Sequence, residues 1–371
     1  MHALLSSSDY MDYWASELQG AGAVVHRKQF INLRDRPLRF LQAIADIGQQ
    51  NLVAESCREI IPDAILVNQQ YDEDGLDFVL GALKADVAPV AGVIHMPMTA
   101  DKDKRPFGKL RGCFLRYWYR KHSYSIIFSS EAGKKEFLNY YRLNISTSVV
   151  LSGIPFSSAI PDCSQVIQDA DGRWSTFIGD EKRGHLPIIG FAGQFVHQKN
   201  IDLLIDGWLW ATSSGVQTRL LLIGDGPDKE RIERKLAGVA DTGLWHITGW
   251  TKDYAEYLSN LDIFIMPSRF EGLPLTLIEA VGMGIPTIVS NFNGASDIAA
   301  RAGWVDVLEE NSVNALGRMI AEKVSKLSTQ KEMARSARAQ FVEYFSTKRM
   351  AEDLLDIFGG LDSNGVKNGN C

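Results

Sequence analysis

From Leu186 onward, short apolar runs alternate with segments of helical periodicity. Apolar runs of this length are typical of strands buried on both faces, and the helices between them favour repeated βα units around a parallel sheet. Ile201, Leu204 and Trp208 recur at helical spacing and can cover one face of that sheet. The predicted strands are Pro187–Ala192, Arg219–Gly224, Leu244–Thr248, Asp262–Pro267, Pro286–Ser290 and Trp304–Leu308.

The first half of the chain has the same alternation in a weaker form. A chain of 371 residues exceeds what one hydrophobic core usually organises, so length also favours more than one domain. Apolar runs predict four strands in this half, at Ala64–Val67, Pro89–Ile94, Ser125–Ser129 and Ser148–Leu151. Helical patterns are found at Tyr10–Gln19, Arg36–Gln49 and Phe107–His122.

The sequence therefore predicts an α/β protein of two doubly wound parallel-sheet domains that face a cleft. A stretch rich in Ser, Asp, Gly and Gln separates them and has little periodicity, which indicates a linker or surface excursion. After the second domain, a helix is predicted to cross back to the first, and a Gly- and Asn-rich tail to be disordered. The predicted segments are 1–156, 157–185, 186–346, 347–358 and 359–371.

Composition argues against several classes of protein. A net charge of -6 is unfavourable for a general nucleic-acid binder, which needs a basic surface. No apolar stretch reaches the roughly eighteen residues of a membrane span, and the first residues lack the features of a signal peptide. Four scattered cysteines show neither metal-ligand spacing nor a disulfide framework, so we expect a cytoplasmic protein with no metal site. They are Cys57, Cys113, Cys163 and Cys371.

One segment departs from this acidic balance. Between Lys102 and His122 the chain carries eight Lys and Arg residues and a single acid, interleaved with Phe, Tyr and Trp. A solvated helix face explains this pattern without any ligand. Alternatively, basic and aromatic side chains together suit an anionic membrane surface, which would seat the protein at the inner face of a membrane.

Three loops of the second domain follow predicted strands, at the edge where open α/β sheets bind ligands. The first, Gly193–Asn200, carries Lys199, which can neutralise a phosphate as a point charge. The second is the turn Gly224–Pro227, whose two glycines permit a close backbone approach. The third, Glu271–Glu279, opens a helix whose first amides can bind an anion, and its two carboxylates can accept hydrogen bonds from hydroxyls. Together they predict a site for a sugar nucleotide.

These residues also have plainer interpretations. The segment from Thr276 to Glu279 fits a helix capping box, in which the glutamate bonds the amide of the cap residue, although the proline two positions earlier favours an earlier helix start. Glu271 fits a solvated loop acid, and Lys199 an ordinary surface lysine. His95, which ends a predicted buried strand, fits a satisfied core histidine.

These motifs, in this order, resemble the donor domain of family 4 glycosyltransferases. The resemblance is dense over about residues 186 to 300 and rests on four stretches taken together, Gly193–Asn200, Leu221–Pro227, Pro267–Pro274 and Glu279–Pro286. The first half is similar to the same family more loosely, at His95, Phe128–Glu131 and Ser152–Pro155. The resemblance implies the GT-B fold, with two Rossmann-like domains, and metal-independent, retaining transfer of a sugar.

By position, the resemblance implies a role for each motif residue. Glu271 contacts the donor sugar near the reacting centre, Glu279 holds the ribose hydroxyls, and His95 of the acceptor-side first domain lies near the transferred sugar. Lys199 faces the diphosphate, together with amides at the start of the helix. The implied donor-binding residues are Gln194, Lys199, Gly224, Gly226, Gly272, Leu273, Pro274, Leu275, Thr276 and Glu279, and the implied catalytic residues are Glu271, His95 and Lys199.

Two positions depart from the family pattern. Gln194 stands where the family usually has Arg, and Ser6–Tyr10 stands where it tends to have a glycine-rich loop. We expect a hexosyltransferase of polysaccharide or lipopolysaccharide-type assembly that uses a UDP-, GDP- or ADP-sugar, with no further cofactor, and a glycan or lipid-linked acceptor. The departures leave a second hypothesis open, a non-catalytic nucleotide-sugar-binding or scaffold subunit with the same fold.

Overall fold

A computed structural model shows the architecture of the chain. It describes residues 1–30, 41, 44–98, 107–122, 124–156, 177, 186–239 and 242–360. The predicted linker at 157–185, apart from Phe177, lies outside these residues, as does the predicted tail from residue 361. Cys163, Cys371 and the basic residues from Lys102 to Arg105 lie outside them as well.

The chain divides into two compact units. The first contains the described residues within 1–129, 134–150 and 353–371, and the second those within 130–133 and 151–352. The helix Thr347–Gly359 therefore begins in the second unit and ends in the first.

Among the described residues of the first unit, parallel strands form two sheets. One pairs β1 (His2–Ser6) with β2 (Val24–Lys28), and the other has the order β3 (Ile65–Gln69), β4 (Val90–Ile94), β5 (Ser125–Phe128) and β6 (Thr147–Val149). The helices are α1 (Asp12–Gly20), α2 (Ile47–Ile60), α3 (Leu76–Ala85), α4 (Gly108–Lys121) and α5 (Glu131–Tyr141).

The core of this unit lies on the four-stranded sheet. All four residues of β5 are buried, because the strand has a neighbour on each side and helices cover its faces. Leu115, Trp118 and Tyr119 of α4 pack in the same core. The four strands predicted for this half are confirmed, with ends that shift by one or two residues.

Three elements of the first unit differ from the prediction. The predicted helix Arg36–Gln49 is wrong at its end, because Asp46 starts a new helix, α2, by accepting a hydrogen bond from the Gln49 amide at 2.9 Å. Residues 31–40 of that prediction lie outside the described residues. Strands β1 and β2 were not predicted. After Val24 and Val25 the residues of β2 are His, Arg and Lys, which carry no apolar signal.

The second unit contains a six-stranded parallel sheet in the order β12–β11–β10–β7–β8–β9. All six strands predicted for this half are confirmed within one residue at each end. The strands are β7 (Ile188–Ala192), β8 (Arg219–Ile223), β9 (Trp245–Ile247), β10 (Ile263–Met266), β11 (Thr287–Ser290) and β12 (Val305–Leu308). The helices are α6 (Ile201–Ser213), α7 (Lys229–Leu236), α8 (Tyr254–Ser259), α9 (Leu275–Gly282), α10 (Ala295–Ala299), α11 (Val313–Ser325), α12 (Leu327–Tyr344) and α13 (Thr347–Gly359).

The order of the strands determines where a ligand can bind. β7 and β10 are neighbours, and the chain moves outward from β7 through β8 to β9, and outward in the other direction from β10 through β11 to β12. The strand order therefore reverses between β7 and β10. Open α/β sheets bind ligands beyond the carboxyl ends of the strands at such a point, and the loops after Ala192 and Met266 begin there.

Candidate functional site

The loop that follows β7 brings a cation to this edge of the sheet. Its Phe195 is fully buried and anchors the loop before a 3-10 turn at His197–Lys199. Lys199 Nζ donates to Glu271 Oε1 at 2.6 Å, in an ion pair whose side chains are 17% and 8% exposed. Two predicted catalytic residues that are 72 positions apart in the sequence are thus in direct contact, because they follow the neighbouring strands β7 and β10.

Gln198 completes the hydrogen bonding of Glu271. Its Nε2 donates to Glu271 Oε2 at 3.2 Å and to the carbonyl oxygen of Phe270 at 3.0 Å. Both carboxylate oxygens of Glu271 therefore have a partner, which restricts the orientation of the side chain. The sequence alone does not single out Gln198, since no local pattern indicates which residue an amide side chain will contact across two loops.

Arg269 and His197 stand beside this pair on the surface. Both side chains are exposed, and Arg269 Nε donates to the carbonyl oxygen of His197 at 3.3 Å. The Arg269 amide also donates to the carbonyl oxygen of Gln198 at 2.8 Å. These bonds join the loop after β7 to the loop after β10.

The turn Gly224–Pro227 is joined to the loop after β7 by backbone hydrogen bonds. A Cβ added to Gly224, where φ is +138°, would lie 2.0 Å from the carbonyl oxygen of Gly193. A Cβ added to Gly226, where φ is +159°, would lie 2.4 Å from the carbonyl oxygen of Phe195. Both distances are too short for any side chain, so the fold requires these two glycines whether or not a ligand binds.

A cavity of about 690 Å³ opens at the carboxyl ends of β7, β8 and β9, a volume in the usual range for small-molecule sites. Its wall also includes the start of α9. Of the predicted site residues, Gln194, Gly224, Gly226 and Thr276 line it. The described residues that line it are Ala192, Gly193, Gln194, Ile223, Gly224, Asp225, Gly226, Gly249, Trp250, Thr251, Tyr254 and Thr276.

One wall of the cavity consists of residues that sequence analysis missed. Trp250, Thr251 and Tyr254 follow β9 and lead into α8. The Trp250 side chain is 74% exposed, which is unusual for so large an apolar ring. The sequence could have indicated Trp250 as a site residue, because it comes shortly after a predicted strand of the sheet that binds the ligand.

Asp225 lies in the same cavity wall and is paired with a neighbouring cation. Lys229 Nζ donates to Asp225 Oδ2 at 2.8 Å, and the Gly226 amide donates to Asp225 Oδ1 at 2.7 Å. The bond from Lys229 is the main reason that the pKa of Asp225 is lowered, and the amide adds to it. Asp225 is therefore a carboxylate whose charge is already compensated.

Glu279 does not cap helix α9. The helix begins at Leu275 with Pro274 at the cap position, which places Glu279 at its fifth residue. Glu279 Oε1 accepts a hydrogen bond from the Tyr254 hydroxyl at 2.7 Å. The capping-box interpretation is therefore wrong, and the earlier helix start indicated by the proline is confirmed.

Burial shapes the electrostatics of Glu279 and Tyr254. Burial raises the pKa of Glu279, and the hydrogen bond from Tyr254 partly opposes that shift. Burial also raises the pKa of Tyr254, and its bond to Glu279 raises it further. Near pH 7 the phenol is thus a neutral donor. The other carboxylate oxygen, Oε2, is buried and has no hydrogen-bond partner among the described residues.

The remaining predicted donor-site residues lie just before and at the start of α9. Gly272 and Leu273 are buried, whereas Leu275 is exposed, and the described residues that line the cavity do not include these three or Pro274. The first amides of a helix have no partner within it and carry partial positive charge. Thr276, the second residue of α9, lines the cavity, so this helix start borders it.

His95 belongs to the first unit and directly follows β4. Its Nε2 is hydrogen-bonded to Asn68 Oδ1 at 2.5 Å, and its carbonyl oxygen accepts from the Ser129 hydroxyl at 2.7 Å. Burial lowers the pKa of the imidazole, so the ring is neutral near pH 7. The side chain remains partly exposed, which differs from a histidine enclosed in a core.

The basic and aromatic residues of α4 divide between core and surface. Arg111 is buried and donates to both carboxylate oxygens of Glu73, while Trp118 and Tyr119 are buried in the hydrophobic core. The prediction of a surface patch is therefore wrong for these three residues. The exposed residues of the segment are Phe107, Lys109, Leu110, Cys113, Tyr117, Arg120 and Lys121.

In the described part of the chain, no three His, Cys, Asp or Glu side chains are grouped so that they could hold a metal ion. None of the helices in those residues is both long and apolar enough to span a bilayer. Cys57 is a buried free thiol and Cys113 an exposed one.

Residues 186–327 match the family model described as Glycosyl transferases group 1. Over 116 residues, 30% of this chain, the sequence is 30% identical to UDP-Gal:alpha-D-GlcNAc-diphosphoundecaprenol alpha-1,3-galactosyltransferase of Escherichia coli, of which the match covers 29%. Over 178 residues, 47% of this chain, it is 27% identical to the GDP-mannose-dependent alpha-(1-6)-phosphatidylinositol dimannoside mannosyltransferase of Mycobacterium tuberculosis, of which the match covers 44%. The chain thus spans less than half the length of both curated relatives.

Solved structures are similar over nearly the whole chain. A glycosyltransferase from Rickettsia africae ESF-5 has a TM-score of 0.69 at 15% identity and covers 96% of this chain and 97% of its own. Anabaena HepE in complex with UDP has a TM-score of 0.71 at 15% identity and covers 97% of this chain and 92% of its own. At this identity the likeness concerns the fold, which is the predicted GT-B architecture. Residues 186–327 are thus similar to the family Glycosyl transferases group 1, within a chain that has the GT-B fold.

Proposed function

We propose that the protein is a retaining hexosyltransferase that moves a sugar from a nucleoside diphosphate sugar to a glycan or lipid-linked acceptor. One observation carries the proposal, which is that the cavity and the Lys199–Glu271 ion pair lie at the same carboxyl edge of the six-stranded sheet. A sugar nucleotide needs a cation for its phosphates and oxygen acceptors for its hydroxyls. The proposed donor is a UDP-, GDP- or ADP-sugar. The names of the two relatives include UDP-Gal and GDP-mannose.

In this proposal the diphosphate is held by Lys199 and by the first amides of α9. The amides carry the positive end of the helix dipole, and Thr276 among them borders the cavity. Lys199 has three N–H donors and uses one on Glu271, so two can reach phosphate oxygens. Gln194 lines the cavity and offers an N–H donor without charge.

The two glutamates bind the two sugars of the donor. Glu271, oriented by Lys199 and Gln198, accepts hydrogen bonds from the hydroxyls of the transferred sugar. Glu279 accepts them from the ribose. The neutral imidazole of His95 hydrogen-bonds the transferred sugar, a role that rests on the resemblance of its position to the family.

The proposed reaction needs neither a metal ion nor a protein base. The acceptor oxygen bonds to the anomeric carbon on the face from which the phosphate departs, so the configuration is retained. The glycosyl–phosphate bond breaks, and a departing phosphate oxygen takes the proton of the acceptor hydroxyl. Negative charge develops on the leaving nucleotide, where the Lys199 cation and the amide dipoles, already in place, stabilise it.

Measurements of donor hydrolysis and of transfer to cell-derived acceptors, with UDP-, GDP- and ADP-sugars, test this function. We expect Glu271→Ala and Lys199→Ala each to lower kcat/KM by at least about 100-fold, because each removes an interaction made in the transition state. The surface pair Lys326–Glu322, with an N–O distance of 2.7 Å, supplies a matched control. Lys326→Ala and Glu322→Ala should leave activity unchanged. Donor binding by wild type without turnover on any acceptor would instead support the scaffold hypothesis.

A peripheral location on the cytoplasmic leaflet is the second part of the proposal. Phe107, Leu110 and Tyr117 are 73%, 68% and 62% exposed. Leu110 and Tyr117, seven residues apart, lie on one face of α4, and Phe107 directly precedes the helix. Lys109, Arg120 and Lys121 are exposed on the same helix. Apolar side chains flanked by cations suit the boundary of an anionic bilayer.

Flotation with liposomes of neutral and anionic lipid tests this location. Wild type should float with anionic liposomes, less so at high salt, and the variant carrying Lys109→Glu, Arg120→Glu and Lys121→Glu should not. A variant with Lys326→Glu, Arg335→Glu and Lys348→Glu, which changes the charge by the same amount at exposed positions elsewhere, should float like wild type. Equal behaviour of the two variants would contradict a role for α4.

A further inference from the structure

Tyr254 joins the cavity to Glu279. It is the first residue of α8, and its side chain lines the cavity together with Trp250. Its hydroxyl donates to Glu279 Oε1 at 2.7 Å. The tyrosine therefore contacts both the space that a ligand would occupy and a carboxylate on a different helix.

The carboxylate of Glu279 is only half satisfied by this bond. Among the described residues its Oε2 is buried without a hydrogen-bond partner, and no cation forms a salt bridge with it. Burying a carboxylate oxygen without a donor is unfavourable, so Oε2 retains a strong tendency to accept one.

Glu279 lies next to residues of the cavity wall, although the described lining does not include it. Thr276 lines the cavity, and Glu279 lies three residues later on the same face of α9. Tyr254 lines the same cavity from α8. The two helices thus supply a hydroxyl and a carboxylate that are hydrogen-bonded to each other, and the hydroxyl belongs to a residue of the cavity wall.

We propose that Tyr254 is a positioning residue for nucleotide recognition, whose hydroxyl holds the Glu279 carboxylate in the orientation in which it accepts a hydrogen bond from a ribose hydroxyl. This inference rests on the proposed donor site, in which Glu279 binds the ribose. It adds that discrimination between a ribonucleotide and a deoxyribonucleotide requires the phenol as well as the carboxylate. A side chain held in place before binding loses less conformational freedom when the ligand arrives.

A direct test compares the Kd of UDP, GDP and ADP with those of their 2′-deoxy and 3′-deoxy forms by isothermal titration calorimetry. The variants are then measured with the nucleoside diphosphate that wild type binds most tightly and with its two deoxy forms. A hydrogen bond to a charged group implies that wild type prefers the ribonucleotide by roughly tenfold or more over at least one deoxy form. Tyr254→Phe keeps the ring and should reduce that preference to within about threefold of unity.

A double-mutant cycle separates positioning from a purely structural role of Tyr254. Glu279→Ala should abolish the preference, and adding Tyr254→Phe to it should change the preference no further. In steady-state assays, Tyr254→Phe should raise the KM for the donor and leave kcat within about twofold of wild type, because the bond it removes orients a binding group. Tyr13→Phe, at an exposed tyrosine of α1, serves as the control.

The outcomes distinguish this inference from the function on which it rests. If Glu279→Ala leaves the ribose preference unchanged, the ribose role of Glu279 in the proposed function is wrong, and the inference fails with it. If Glu279→Ala abolishes the preference but Tyr254→Phe retains it, the donor site stands and the positioning role of Tyr254 is overturned. Thermal unfolding of each variant confirms that the comparisons are made on folded protein.

Discussion

Glu279 is the residue at which burial and charge are most clearly in conflict. Its carboxylate is partly enclosed, and burial raises its pKa. The hydrogen bond from Tyr254 acts in the opposite direction, because it stabilises the ionised form. Glu279 therefore takes up its proton at a higher pH than an ordinary surface glutamate does.

Donor affinity should weaken on mild acidification for this reason. A carboxyl group with a raised pKa takes up its proton at a higher pH than usual, and the protonated form loses acceptor capacity. The Kd of the preferred nucleoside diphosphate, measured between about pH 5 and pH 8, should rise as the pH falls through the pKa of Glu279. In Tyr254→Phe this rise should begin at a higher pH, since the bond that lowers the pKa is gone. In Glu279→Gln the acid-dependent rise should be absent, and its persistence there would assign it to another group.

Among the elements, the loops after β7 and β8 depend most strictly on backbone geometry. Their hydrogen bonds continue the pairing of the two strands beyond the sheet. Gly224 and Gly226 are needed because their hydrogens point at carbonyl oxygens of the opposite loop. The cavity wall is thus formed by main chain, which keeps its shape without relying on side-chain rotamers.

Replacing Gly224 by Ala should therefore damage both stability and binding. The new Cβ would lie 2.0 Å from the carbonyl oxygen of Gly193, so the loops must separate. We expect a loss of at least about 2 kcal/mol in the free energy of unfolding, measured by denaturant titration, with weaker nucleotide binding. Gly238→Ala is the control in the same unit, since its Cβ would come no closer than 3.4 Å to another atom. Equal stability of the two variants would contradict the steric account.

The elements also differ in how far sequence predicts them. The strands of the second unit were predicted because β7, β8, β10 and β11 are buried along their whole length, which requires continuous apolar runs. β2 was missed because a partly exposed strand needs no such run. The start of α2 at Asp46 was missed because capping depends on where the chain turns, which propensity alone does not reveal.

For the whole molecule, the division into two units means that a nucleotide should affect one unit more than the other. Every described residue that lines the cavity belongs to the second unit. A ligand at 100 times its Kd stabilises the state that binds it by about 2.7 kcal/mol. That stabilisation should be concentrated in the unit with the site.

Hydrogen exchange with the preferred nucleoside diphosphate should display this difference. We expect slower exchange at 193–200, 224–227, 249–254 and 272–279 and unchanged exchange in α2 and α3, because the latter belong to the first unit. The comparison is made with and without nucleotide under identical conditions. Protection confined to the first unit would be incompatible with the proposed donor site.

The sequence by itself determined the class of fold, the positions of the six strands along the second half of the chain and the loops in which a ligand site had to lie, because burial on both faces imposes a pattern on each strand separately. Only the tertiary structure decided which side chains meet. The Lys199–Glu271 pair with Gln198, and the bond from Tyr254 to Glu279, join residues far apart in the chain. Such contacts depend on strand order and helix position, which no local pattern contains. For the same reason, tertiary structure placed Arg111, Trp118 and Tyr119 in the core.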